Sequence, residues 1–429
     1  MDLSPILVSG FGRSGTTALM ALLGSDPRVV LDGAPPYECR HLTYLAKFAA
    51  LLGRRAFRDG WTGEQMCDFD HGGFGSPSWW PPAGPSRIAP PAADWLRQLW
   101  RLAGDRARWQ RPAIEYYAEK VPPWVPAFLR SAWPGLPQRT VHLARDPRDL
   151  YLSANAFMRS RGYHSFARAP GDGDADHARN LAHALLEWFE NYRADRGRAD
   201  AVLVRYEELA LDRPGLAGRL GRWLGLSLDP AAGEALRESH GTAGGAEASV
   251  GRWRREGLAA DVRRTLEAPL AEAMAELGYG DVEPAPTAEP VRFAELLTTG
   301  PRPGQSDHGA LTVEGDGTVS VSVTGDDFWV ALPPTALPAE TVREVWLCLT
   351  GGVGDHCSIY WHRSGEGFAE RRRLHVPFHP GPHWRVLRFR VGDHPLWRGT
   401  ITGLRLDPFN VQGPAEPGRG RLRWLRFVA

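Results

Sequence analysis

Over the first 280 positions, short apolar runs are separated by longer stretches of helical spacing. Residues 6–9 (Ile-Leu-Val-Ser) have the length and character of one buried strand. A glycine loop, Gly10 to Gly15, follows, and then Thr16 to Leu23 with helical spacing that stops at Gly24 and Asp26-Pro27. A second apolar run, 140–144, ends at Arg145-Asp-Pro-Arg-Asp149, where Asp146 suits a helix cap and Pro147 a first helical position. A third run, 201–205, ends at Tyr206-Glu207-Glu208, and helical spacing fills 94–110, 177–192 and 259–277. Strands alternating with helices, the first strand fully apolar, predict an α/β domain with a parallel sheet flanked by helices.

The pattern changes after the proline-rich stretch 281–292, which reads as a linker. Residues 293–429 carry short alternating segments at 318–323, 328–332, 344–349, 358–361, 384–391, 401–406 and 422–427, parted by Gly, Pro and Asp. This predicts a smaller all-β sandwich domain behind a first domain of residues 1–280. Residues 71–93, rich in Gly, Pro and Trp, predict a long loop that serves as a lid or binds the acceptor.

Composition narrows the function. A net charge of +1 argues against a general nucleic-acid or membrane-surface binder. No apolar run approaches 18 residues, so no membrane span is expected. The N-terminus lacks a basic start before an apolar core, and no CxxC pair occurs among Cys39, Cys67, Cys348 and Cys357. Both features point to the cytoplasm, with Cys348 and Cys357 able to meet on neighbouring strands. Of 51 basic residues only Lys47 and Lys120 are lysines. A site that needs a compact ammonium does not accept arginine's planar fork, whereas drift toward arginine would leave lysines at random positions, and both readings are open.

The loop Gly10-Phe-Gly-Arg-Ser-Gly-Thr-Thr17 has the G-x4-G spacing of a P-loop. Its backbone N–H groups and the following helix start can cradle an anion. Nucleotide hydrolases place a lysine after the second glycine; here Thr16 stands there and the loop cation is Arg13. The pattern resembles the phosphosulfate loop of sulfotransferases that use 3′-phosphoadenosine 5′-phosphosulfate (PAPS). Three later segments resemble that family's motifs in the same order. They are Arg145 through Ser153, Val204-Arg-Tyr-Glu-Glu-Leu209, and Ser249-Val-Gly-Arg-Trp-Arg-Arg255.

The resemblance implies a site. Gly12, Arg13, Ser14, Gly15, Thr16 and Thr17 would hold the phosphosulfate. Arg145 and Ser153 would hold the 3′-phosphate, with Tyr206 near the nucleoside. Gly251, Arg252, Trp253 and Arg254 would fold over the 3′-phosphate. Lys120, in Glu119-Lys120-Val-Pro-Pro123, would contact the sulfuryl or bridging oxygen. Glu38, in Tyr37-Glu-Cys-Arg40, would be the base, tuned upward by burial. Arg13 completes the catalytic set, and His41, Asp68, Asp70 and His71 are rival bases. Expected partners are PAPS, its product PAP, and a small-molecule or glycan acceptor with a free hydroxyl. A P-loop kinase using ATP and a non-catalytic nucleotide- or glycan-binding protein are the alternatives. In the second domain Trp361, Trp384 and Trp397, with Arg363 and Asp407, suggest a β-sandwich of the carbohydrate-binding kind, although tryptophans at strand spacing are more often core than sugar platforms, and an oligomerisation or packing domain is equally open. His375, His379 and His383 have metal-ligand spacing for one helix face, but Pro377, Pro380 and Pro382 exclude that helix.

Overall fold

The computed structural model describes residues 3–52, 89–233, 245, 247–280, 290–298, 304–306, 308–325, 327–351, 354, 356–410 and 418–429. Asp68, Asp70, His71 and most of the 71–93 loop lie outside the described residues. The chain divides into two units, Met1–Val282 and Glu283–Ala429.

In the first unit β1 (Ser4–Gly10) leads through the glycine loop into α1 (Thr16–Leu23), then β2 (Val29–Leu31) and α2 (His41–Leu52). After α3 (Ala89–Gln110) come β3 (Tyr116–Val121), α4 (Val125–Ala132), β4 (Arg139–Ala144) and α5 (Pro147–Arg161). The long α6 (Asp174–Asp195) precedes β5 (Ala201–Arg205), α7 (Tyr206–Leu211), α8 (Arg213–Leu224), α9 (Arg252–Glu256) and α10 (Ala260–Glu276). The five strands pair in the order β2-β3-β1-β4-β5, all parallel. This is the expected α/β architecture.

Alternation along β1 explains why its run is apolar throughout. Ile6 and Val8 pack with Leu19 and Leu22 of α1 and with Leu216 and Leu220 of α8. Leu7 faces the other way, against Leu42 of α2, Trp100 of α3 and Leu129 of α4. Both faces are covered, as a parallel sheet requires, and each fully buried side chain of this size contributes about 1.5–3 kcal/mol. Helix α3 begins at Ala89, ahead of the expected 94, because Pro90 and Pro91 sit in the first turn. Proline is tolerated there, where backbone N–H groups have no partner within the helix.

The second unit is antiparallel. Its strands are β6 (Val291–Arg292), β7 (Gly304–Gln305), β8 (Gly309–Val313), β9 (Val319–Val323), β10 (Val330–Ala331), β11 (Leu337–Pro338) and β12 (Glu344–Gly351). They continue as β13 (His356–His362), β14 (Arg373–Pro377), β15 (Gly381–Phe389), β16 (Thr400–Ile401), β17 (Gly403–Asn410) and β18 (Gly418–Val428). One sheet runs β15-β12-β18-β9-β8 and another β14-β13-β17-β10-β7. The strand expected over 328–332 shrinks to Val330–Ala331, since Pro333 and Pro334 cannot extend a ladder. Strands β8 and β14 escape the sequence pattern because each lies at a sheet edge, where fewer apolar positions are needed.

Two questions left open by the sequence are answered in this unit. Cys348 and Cys357 lie on strands of different sheets, not on neighbouring strands of one. Trp361, Trp384 and Trp397 are exposed by only 0, 3 and 6 %. Trp361 meets Trp397 edge to face at 5.3 Å, and Trp397 Nε1 donates to the carbonyls of Ala339 and Val342. Trp384 lies under the Arg423 guanidinium at 4.0 Å. These tryptophans are packing residues rather than sugar platforms, because inward positions of a strand have the same two-residue period as outward ones. Arg363 and Asp407 are engaged locally, with Glu366 and Arg405. Trp361→Ala should destabilise the full chain by about 3–5 kcal/mol, read as a lower urea midpoint in its tryptophan fluorescence.

Candidate active site

The carboxyl ends of β1, β3, β4 and β5 gather the residues singled out above. At the end of β1 the chain turns through Arg13 and Gly15, both left-handed (φ 70° and 96°). Gly15 is the N-cap of α1, and among the described residues no side chain caps that helix start. Its first-turn N–H groups and the positive end of its dipole are therefore available to an anion. A Cβ on Gly15 would lie 2.5 Å from the Tyr206 ring, and one on Gly12 2.5 Å from Phe166. Ser14 closes the loop on itself, its N–H and Oγ both donating to the Phe11 carbonyl at 3.1 and 2.6 Å. Arg13 lies over the Phe157 ring at 4.4 Å. Burial, and the nearby Arg145 charge, lower its pKa to about 10, which leaves it cationic at neutral pH.

Strand β3 supplies Lys120. Parallel pairing sets Lys120 opposite Val8 and Glu119 opposite Leu7, so the two charges face opposite sides of the sheet. On the P-loop side, the Lys120 ammonium donates to Thr17 Oγ1 at 3.0 Å, Glu38 Oε1 at 2.8 Å and the Pro36 carbonyl at 2.5 Å. Burial lowers its pKa, against the pull of Glu38. On the other side Glu119, 1 % exposed, accepts the N–H groups of Leu42 and Thr43 at 2.8 and 2.9 Å. It also accepts the hydroxyls of Thr43 and Tyr117 at 2.7 and 3.0 Å. Glu119 thus caps α2 from a strand. Residues 36–43, which include Glu38 and Arg40, are held from both faces of β3. The sequence pattern carried no sign of this cap, because the donors lie 76 and 77 positions away.

Glu38 departs from the expectation that burial would tune it upward. Burial does raise its pKa, but hydrogen bonds from Lys120 and from Arg40 (2.9 Å) outweigh it and hold the carboxyl below its ordinary value. The carboxylate is half-exposed and two cations grip it. Among the rival bases, His41 is bonded to Asp32. Lys47 sits partly buried on α2.

At the end of β4, Arg145 donates to the Arg13 carbonyl at 2.7 Å and the Ser249 carbonyl at 3.0 Å. Its guanidinium lies 4.2 Å from the Tyr206 ring, and the Tyr206 hydroxyl meets Ser249 Oγ at 2.6 Å. Arg145 and Tyr206 therefore tie the glycine loop to the late basic segment. Asp146 caps α5 and grips Arg148 through both carboxylate oxygens (2.9 and 2.8 Å). Ser153 is buried on α5. The segment 251–254 does not simply lie open. The N–H groups of Gly251 and Trp253 both go to Asp149 (2.6 and 2.8 Å), and the Trp253 ring packs against Arg148 at 3.9 Å. Arg254 lies 4.9 Å from the Trp253 ring, and Arg252 pairs with Glu256 at 2.5 Å. Glu207 is a further, partly buried carboxyl, pushed up by desolvation, that accepts from the Asp146 N–H and the Tyr279 hydroxyl, each at 3.0 Å.

Carbon-13 titration of the Glu38 side chain should give a midpoint below the ordinary glutamate value of about 4.3. Arg40→Ala removes one cation and should raise that midpoint; an unchanged value would show that Arg40 does not bear on the carboxylate.

A family model described as the sulfotransferase family matches residues 5–230, just over half of the chain. No curated protein matches the chain. Solved structures that it resembles include the sulfotransferase domain of the Synechococcus PCC 7002 olefin synthase. That domain is 18% identical, with 66% of this chain and 97% of that one covered and a TM-score of 0.37. A sulfotransferase from Alicyclobacillus acidocaldarius is 15% identical, with 65% and 95% covered and a TM-score of 0.36. A low-affinity xylan-binding module from Roseburia intestinalis is 11% identical, with 33% of this chain and 93% of the module covered and a TM-score of 0.25. The family match spans β1, the glycine loop, Lys120, Arg145 and Tyr206, and on it the chain belongs to the sulfotransferase family.

Proposed function

We propose that the protein transfers a sulfuryl group from PAPS to an acceptor hydroxyl of a glycan, glycolipid or glycosylated natural product. The observation that carries this reading is the position of Lys120. Its ammonium reaches Thr17 of the P-loop and Glu38 at once. A nucleotide hydrolase takes its loop lysine from the position that Thr16 occupies here. In this fold the equivalent charge comes from a neighbouring strand instead.

The residues fit a phosphosulfate. The α1 start has no side-chain cap, and Arg13 stays cationic beside it. Thr16 and Thr17 add hydroxyl donors. Arg145 and Arg252 suit a 3′-phosphate, since a planar guanidinium binds such oxygens through two parallel bonds. Arg145 would exchange the Ser249 carbonyl, a neutral acceptor, for a charged one, which makes a hydrogen bond roughly twice as strong.

When bound, the donor supplies an activated sulfuryl group and a nucleotide leaving group. The chain's own residues do the rest. Arg13 and the loop N–H groups neutralise the oxygens, and Lys120 offers one ammonium where charge grows on the leaving oxygen. Glu38, ionised at neutral pH, accepts the proton of the acceptor hydroxyl. The short bond between Lys120 and Glu38 gives each a role for the other: a lysine drawn toward a sulfuryl oxygen loosens its grip on the base and raises its basicity.

Sulfur-35 transfer from labelled PAPS, set beside phosphorus-32 transfer from ATP, tests the reaction class. Sulfur transfer alone is expected; phosphorus transfer would establish the kinase instead. Lys120→Arg should cut turnover at least tenfold with donor affinity nearly unchanged, because a fork replaces a point donor. Equal losses in both would reduce Lys120 to a binding group.

A further inference from the structure

We propose that Asp149 is a positioning residue that makes the site select a 3′-phosphorylated nucleotide, an inference that rests on the donor reading above. Asp149 sits in the first turn of α5, four residues past Arg145, and is 1 % exposed. Its two carboxylate oxygens accept from Gly251 N–H at 2.6 Å and Trp253 N–H at 2.8 Å. Gly251 is the left-handed N-cap (φ 64°) of α9, and no side chain of its own segment caps that turn. The cap is supplied from 102 residues earlier in the chain.

Two further contacts hold the same segment. Arg145 donates to the Ser249 carbonyl, and Arg148 lies 3.9 Å from the Trp253 ring while Asp146 and Glu267 hold its own guanidinium. Residues 249–253 are therefore fastened to the end of β4 and the start of α5 at three successive points. The segment presents Arg252, whose Nη1 is buried with no hydrogen-bond partner among the described residues. A buried guanidinium N–H lacking an acceptor is costly unless an anion completes it. Asp149 also consumes the Gly251 and Trp253 amides, so recognition of a phosphate falls to arginine side chains. An error in the 251–253 backbone would misplace Arg252 first, since the tie from the late segment to the P-loop runs through Ser249 and not through residues 251–253.

The experiment compares PAP with adenosine 5′-monophosphate, which lacks only the 3′-phosphate, by calorimetry on the full chain. In the unaltered protein PAP should bind at least tenfold more tightly. Asp149→Asn keeps the shape but turns an amide N–H toward one backbone donor. It should raise the Kd for PAP at least tenfold, leave that for the monophosphate within about twofold, and so collapse the ratio. Equal weakening of both ligands, or an unchanged ratio, would overturn the proposal. Should Asp149→Asn not fold, Gly251→Ala moves the same N–H from the other side, and a ratio preserved there overturns it equally. Absence of any preference for PAP in the unaltered protein would instead refute the donor reading itself.

Discussion

Two adjacent charges on one buried strand hold this edge of the candidate site together. Glu119 and Lys120 are consecutive, so the pleat sends them to opposite faces of the sheet. Glu119 caps α2 on one face, and Lys120 binds Thr17, Pro36 and Glu38 on the other. The segment between β2 and α2 is thereby clamped across β3. Neither charge could sit in a buried strand without such partners, since an unpaired ion there costs several kcal/mol. The sheet order then does the remaining work: β3 and β4 flank β1, which brings Lys120 and Arg145 to the two sides of the glycine loop.

Arginine's role around the loop is more structural than its charge alone suggests. Arg145 bridges two backbone carbonyls, and Arg148 is wedged between Asp146, Glu267 and the Trp253 ring. A guanidinium has five donors in a fixed plane, enough to brace a loop and still meet an anion. Lysine has no such plane. Its one buried use here is a point contact where three acceptors converge. The scarcity of lysine therefore has no structural meaning by itself. The residues around position 120 provide it.

The second unit shows the opposite relation between pattern and position. Its alternating segments form strands close to where they are expected. Trp361, Trp384 and Trp397 are packing residues, the commoner role of a tryptophan in such a domain. Two of the strands missing from the pattern, β8 and β14, are edges, where a weaker apolar signal suffices.

Local chemistry was legible in the sequence. The apolar first strand, the glycine turn and the Asp146-Pro147 helix start each follow from a few neighbouring residues. The α/β class and the family resemblance rest on these. What only the tertiary structure decided are the long-range pairs. They are the Glu119 cap on α2, the grip of Lys120 and Arg40 that holds Glu38 low, and the Asp149 bonds that seat the late basic segment. The reason is physical: backbone propensity and side-chain period act over a turn or two. The field at a carboxylate depends instead on which distant donors the fold brings within hydrogen-bonding reach.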